Sequence, residues 1–353
     1  MHCCVSECSG FIGLYGGGLG EHVLFGDFKE RGFVLGEKED HHFIPQLLLR
    51  NWSDNGKQLN LILFKSDGTI QTICGSPIKD SFKEKRLYGK LPKYETTMFA
   101  ENIEPQFKDA IDELRVAKCM YDKRIQSYIL YQMCRTKFIV DMCSHNLKIM
   151  SDICFDKAKA LKAGVSKSNV AYLIEDEQGH NIGYEDALDY MVLPAINPFV
   201  CSLRKQKLIY SDIDLFIGEN PVIVICPLDK PELKGSILDP CSMILFPISP
   251  NEIVVLYRPE DCEIKDDYRL NEDEAHCFNS FQIQQTDRYI AFKNNFNGEK
   301  YKSYFKNGYD HKTMTLSNGL QFFHTWQDLH YSGLDGCFRN IFYQKSDDQI
   351  ISP

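Results

Sequence analysis

The sequence has no run approaching the roughly 18 apolar residues that a bilayer-crossing helix needs. Its first 25 residues or so carry no basic start, and glycines interrupt their apolar stretch. That pattern is not a secretory signal, so a cytoplasmic protein is expected, with no membrane partner. There is no Gly-x-Ser-x-Gly elbow and no His-Glu-x-x-His, which removes the best-marked serine-hydrolase and zinc-protease signatures. Positive charge is also short, with 40 Lys and Arg against 49 Asp and Glu and a net charge of -9. Coating nucleic acid without specificity runs on Lys and Arg, so that class is excluded, while a local basic groove is not. The candidate patches are Lys118 to Lys137, Arg204-Lys205-Gln206-Lys207 and Lys300 to Lys306, and each reads as a solvated face. Internal repeats and low-complexity tracts are absent.

What is present fits an ordinary globular chain: 43% hydrophobic and 25% charged over 353 residues, enough for a sizeable core. The 14 cysteines are scattered through expected helices and strands. They read as reduced, small apolar residues rather than a disulfide framework. Cys3, Cys4 and Cys8 lie close together, but no second pair at zinc-finger spacing follows. Gly16-Gly17-Gly18-Leu19-Gly20 lacks the preceding strand and the Lys-Ser or Lys-Thr of a phosphate loop, and reads as a flexible turn.

Three regions follow: a poorly defined leader over 1–39, a core domain over 40–295 and a C-terminal extension over 296–353. Leu59 to Phe64 and Thr69 to Cys74 flank Asp67-Gly68 and predict a β-hairpin that joins or caps a later sheet. Ile103, Phe107, Ala110, Ile111 and Leu114 recur at three and four, which predicts one buried helix face. A longer helix is expected through Ile125, Ile129, Met133 and Val140, with Arg135 inside it, either solvated or turned inward as an anion clamp. A short helix is expected from Tyr184 to Met191. Beyond it, Leu208 to Tyr210, Leu215 to Ile217, Val222 to Ile225, Met243 to Phe246 and Ile253 to Tyr257 are short apolar strands. Asn271 with Glu274 three residues on marks a helix start, running to about Asp287. Tyr289 to Phe292 closes the block. The expected class is α+β, a mainly antiparallel sheet with an inserted pair of long helices.

Chemistry is most visible at Asp40-His41-His42-Phe43-Ile44-Pro45. Imidazole is the side chain that ligates metals or moves protons near neutral pH. An acid, a histidine and a following proline are similar to the first strand of an HNH-type nuclease. That fold needs a second nearby histidine, and the next one here is His145. Asp214 followed by Glu232-Leu233-Lys234 has roughly the spacing of another nuclease pattern, but Pro231 and Gly235 put the triplet in a turn. Ser211-Asp212-Ile213-Asp214 and Gly218-Glu219-Asn220-Pro221 offer carboxylates at strand ends, where they equally serve as turn formers. The histidines at 145, 180, 276, 311, 324 and 330 read as surface or satisfied core residues.

In order, several segments resemble one mostly bacterial family, the domain of unknown function 4238. They are His41-His42-Phe43-Ile44-Pro45, Leu49-Arg50-Asn51-Trp52, Gln132-Met133-Cys134-Arg135-Thr136, Phe216-Ile217-Gly218-Glu219-Asn220-Pro221-Val222, Phe246-Pro247-Ile248-Ser249-Pro250 and Asn271. Together they cover roughly residues 40–295. Where members carry Ser-Asp, this chain has Gly218-Glu219, which keeps a carboxylate on a stem one methylene longer. The family brings no established activity. It directs attention to His41, His42, Arg135 and Glu219. One expectation is a metal-dependent hydrolase of phosphodiesters, with nucleic acid or another phosphorylated molecule as substrate. His41 or His42 would activate water or ligate a divalent metal, Glu219 would be a metal ligand or base, and Arg135 would hold a phosphate oxygen. The other expectation is a non-enzymatic interaction or defence-associated protein. There the histidine segment is structural, with His41 capping a turn and His42 bonding a buried carboxylate such as Glu219.

Overall fold

The computed structural model describes residues 40–65, 69–85, 87, 100–137, 139, 204–225, 243–260, 264–294, 296–301, 313–315 and 321–323. All of them belong to the unit Glu37–Pro353. The cysteines at 3–8, the glycine turn at 16–20, Asp67-Gly68, Val140, the short helix near 184–191, Glu232-Leu233-Lys234 and the basic tail past Tyr301 lie outside the described residues.

The chain enters through strand β1 (Asp40–His42), a short helix α1 (Gln46–Leu49) and a single tight turn at Arg50–Trp52. The expected hairpin is β2 (Gln58–Phe64) with β3 (Ile70–Pro77), antiparallel, and β4 (Lys83–Lys85) returns to pair with β1. Helix α2 (Glu104–Ala117) opens with a proline in its first turn, where a missing N–H costs nothing. Two-residue β5 (Cys119–Met120) precedes helix α3 (Lys123–Cys134), whose first turn is capped by Asp122 accepting from Arg124 N. Next come β6 (Lys205–Ser211), β7 (Ile217–Gly218), β8 (Ile223–Ile225), β9 (Met243–Ser249), β10 (Glu252–Tyr257) and β11 (Arg269–Leu270). Helix α4 (Glu272–Gln284) starts at Asn271 with the expected capping box to Glu274. The last described elements are β12 (Tyr289–Phe292), α5 (Gly298–Tyr301), β13 (Thr313–Thr315) and β14 (Gln321–Phe323).

Strands β11, β6, β10, β9 and β8 lie side by side in that order, with β5 also on β6. Every pairing in this sheet is antiparallel except β11 on β6. A second sheet runs β3, β2, β12, β7, so the hairpin does join the later strands, through Ile62 opposite Ile290. The class is α+β and mainly antiparallel, as the pattern of short apolar runs implied.

Alternation along the strands explains the layering. Leu208, Ile244, Phe246, Ile248, Val254 and Leu256 face one way and pack with the inner faces of α2 and α3. Their neighbours Ile209, Met243, Leu245, Ile253, Val255 and Tyr257 face the other way, onto Ala275, Phe278 and Phe281 of α4. A strand buried on both faces reads as a continuous apolar run, which is why these segments stood out in the sequence. In the hairpin sheet β2 and β12 are covered on both faces, while β3 is largely exposed. Leu59, Leu61 and Ala291 join the α2–α3 core, and Ile62, Ile290 and Phe292 form a third cluster with Phe216, Ile283 and Tyr301.

Two expectations about charge need correction. Arg204-Lys205-Gln206-Lys207 is not a solvated face, because Arg204, Gln206 and Lys207 are buried. Lys207 Nζ donates to the Ile264 carbonyl and to Asp266 at 2.7 Å, so its charge is spent inside the fold. Of the two orientations expected for Arg135 the inward one holds, since its side chain is buried, but the residue caps α3 just past Cys134 instead of lying within the helix.

Candidate functional site

The histidine segment forms a strand because it has a partner. Asp40, His41 and His42 face Lys85, Glu84 and Lys83 across β1–β4. Lys83 Nζ lies 2.7 Å from Asp40 and 3.2 Å from Asp80. The Lys83 hydrogen bond holds the Asp40 carboxyl below its usual range. Pro45 then starts α1, its carbonyl accepting from Leu48 N and Leu49 N. Both histidines are buried. His42 Nε2 lies 3.3 Å from Gln46 Nε2.

Arg135 comes to this strand from the end of α3. Its Nη2 donates to the His42 carbonyl at 2.6 Å, and its Nη1 pairs with Glu104 Oε1 at 3.1 Å. Gln132, one turn earlier, donates from Nε2 to the Phe43 carbonyl at 2.7 Å. The Gln-x-x-Arg motif therefore holds two consecutive carbonyls where β1 ends. With only 1% of its surface exposed and Glu104 opposite, Arg135 is a compensated internal charge.

The Leu49-Arg50-Asn51-Trp52 step makes the same kind of contact. Asn51 Nδ2 donates to the Ile248 carbonyl at 2.7 Å, inside Phe246-Pro247-Ile248-Ser249-Pro250. Trp52 Nε1 donates to the Leu215 carbonyl at 2.8 Å, next to Phe216.

Glu219 follows β7. Its Oε2 accepts from the backbone N–H groups of Asp287 and Arg288, each at 2.8 Å. Burial pushes the carboxyl up to about 7, against those two bonds and the Arg288 charge, which pull it down; the Asp287 charge adds to the rise. The rest of its segment is tied to α4. Asn279 Oδ1 accepts from Phe216 N at 2.8 Å, Gln282 Oε1 from Gly218 N at 2.9 Å and Thr286 Oγ1 from Glu219 N at 3.2 Å. Gln282 Nε2 also donates to the Pro221 carbonyl at 2.9 Å, so one amide side chain serves the backbone on both sides of Glu219. A Cβ on Gly218 would stand 2.2 Å from Thr286 Oγ1 and 2.8 Å from the Gln282 carbonyl, so only glycine fits there.

Of the four residues singled out in the sequence, His41 and His42 are neighbours on β1 whose side chains alternate in direction, and Arg135 reaches the strand through the His42 carbonyl. Glu219 reaches the same region through other groups: Arg288, whose N–H it binds, lies 3.9 Å from Glu84, and Glu84 faces His41. Among the described residues no group of three or more His, Cys, Asp or Glu side chains is arranged to hold a metal ion. Asp214 and Asp212 serve locally, Asp214 Oδ2 accepting from Asn294 N at 3.0 Å and Asp212 pairing with Arg269 at 2.6 Å. His276 is satisfied by Tyr301 and Glu272.

The sequence reading passed over Asn279, Gln282 and Thr286. Their signal was available: Asn279 and Gln282 are amides set three residues apart among Phe278, Phe281 and Ile283 on α4, and Thr286 follows just past its end. Such residues are retained where a neighbouring backbone needs bonds.

No curated protein and no solved structure matches this chain. A family model does match, over residues 40–296, and those bounds take in every motif linked above. The chain belongs to that family, described as Protein of unknown function (DUF4238).

Proposed function

We propose that this is a non-enzymatic interaction protein in which the His-His-x-x-Pro segment is structural. The observation that carries the reading is that the family-like segments spend their polar side chains on one another's backbone. Arg135 and Gln132 hold the His42 and Phe43 carbonyls, Asn51 holds Ile248, and Trp52 holds Leu215. A guanidinium already balanced by Glu104 and bonded to a carbonyl brings little net charge to a phosphate. Recognition then falls to the surface, and the motifs keep that surface in shape. The test is His42→Ala. Losing a buried hydrogen bond costs about 1–3 kcal/mol, so the melting temperature should drop while calorimetry with Mn²⁺ and Mg²⁺ stays flat. An unchanged melting temperature together with loss of a metal-dependent nuclease activity overturns the reading.

A second reading, a metal-dependent phosphodiester hydrolase, is favoured by one feature. Glu219 is lifted to about 7, where it exchanges a proton near neutral pH, and Arg288 and Glu84 connect it to the histidine strand. Under this reading Glu219→Gln abolishes cleavage of a nucleic-acid substrate in Mn²⁺ or Mg²⁺. The same substitution leaves the first reading untouched.

A further inference from the structure

One face of α3 carries a polar stripe that the bonds from Gln132 and Arg135 to the His42 and Phe43 carbonyls do not fully use. Tyr128, Gln132 and Arg135 stand at steps of four and three, so they share that face. It looks onto His42 and Phe43 on one side and Glu104 and Phe107 on the other. The Tyr128 ring stacks on Phe107 with centroids 3.7 Å apart and meets Phe246 edge-on at 5.9 Å. Its hydroxyl is fully buried and has no hydrogen-bond partner, and the same holds for Gln132 Oε1.

Neither atom is easily hidden. The Phe43 carbonyl accepts from Gln132 Nε2, so a flipped amide would set oxygen against oxygen. Burial and the Glu104 charge hold the Tyr128 phenol well above its usual value, which keeps it a neutral O–H donor. Two orphaned polar atoms on residues one helical turn apart are costly, and native interiors pair such groups almost without exception. A phenol that donates and an amide oxygen that accepts are complementary to one oxygen that does both. The adjoining charges select against ions: an anion would face Glu104 and the amide oxygen, and a cation would face Arg135.

We propose that Tyr128, Gln132 and the Glu104–Arg135 pair enclose a site for one small neutral hydroxyl group, which accepts from Tyr128 Oη and donates to Gln132 Oε1. The hydroxyl belongs either to a water molecule or to a small organic alcohol, and the recognition chemistry is the same.

The test is Tyr128→Phe in the full chain, which removes a single oxygen and no bond to protein. If the site binds a hydroxyl, the melting temperature falls by about 2–4 °C. In a Gln132→Leu background the same substitution then costs less than half as much, because the bound group has already lost its acceptor. A melting temperature that rises or stays level on Tyr128→Phe overturns the proposal, since deleting an unpartnered buried hydroxyl relieves a penalty. Mass spectrometry of the supernatant from heat-denatured wild-type protein separates the sources. A stoichiometric organic alcohol identifies the ligand as that molecule, and its absence alongside the melting loss identifies water.

Discussion

Glu219→Gln separates the electrostatic cost of the Glu219 carboxyl from its role as an acceptor. In the folded protein the group titrates at about 7, against an ordinary value of 4.5. Below 4.5 it is protonated in both folded and unfolded chains and costs nothing. Between 4.5 and about 7 the unfolded chain gives up its proton while the folded chain keeps it, so stability falls as pH rises. Above that window the loss is complete. At about 1.36 kcal/mol for each pH unit, the interval from 4.5 to about 7 is worth about 3 kcal/mol. Glutamine keeps an oxygen for the Asp287 and Arg288 N–H groups and carries no charge, so the variant should fold. Urea unfolding of both proteins in half-unit steps from pH 4.5 to 8.5 reads the result. The variant should gain on wild type across the window, by about 3 kcal/mol at the top, and level off above it. A gap that stays constant, or closes as pH rises, refutes the argument. It would mean that the two backbone donors outweigh desolvation and the carboxylate is ionised throughout.

Arg135→Ala leaves the partly buried Glu104 without its partner and the His42 carbonyl without its donor. The expected loss in urea unfolding is about 1–3 kcal/mol, and pairing it with Glu104→Leu should recover the part due to the unpaired carboxylate but not the part due to the His42 carbonyl. Gly218→Ala puts a methyl against the Gln282 carbonyl as well as Thr286 Oγ1. It should cost about 1–3 kcal/mol, and Thr286→Ala should relieve only part of the loss, because a backbone oxygen cannot be trimmed away.

The strands of the main sheet were legible because burial on both faces writes a continuous apolar run, and Met243 to Phe246 or Ile253 to Tyr257 could be nothing else. The inner face of α2 was equally plain in its three-and-four spacing. Pairing partners were not legible: nothing in Asp40-His41-His42 names Lys83–Lys85 as its neighbour, because a three-residue ladder leaves no period. Arg135 was placed within a helix because apolar residues recur from Ile125 to Val140 on either side of it, yet α3 ends at Cys134 with Arg135 as its cap. Lys207 was read as surface because charge is usually solvated, and the buried Ile264 carbonyl that holds it lies 57 residues away.

The segments that marked the family share one physical cause. Several carry prolines, at 45, 221, 247 and 250. A proline has no N–H to give, and the backbone around it cannot simply continue a ladder. Its neighbourhood therefore leaves carbonyls that need donors from elsewhere. Near Pro45 the donors are Gln132 and Arg135, at Pro221 it is Gln282, and beside Pro247 it is Asn51. Each donor is a planar amide or guanidinium that can satisfy a carbonyl and still reach a second group, as Gln282 and Arg135 do. Short motifs spread over more than two hundred residues are thus halves of the same bonds. A change in one half should be tolerated only with a matching change in the other.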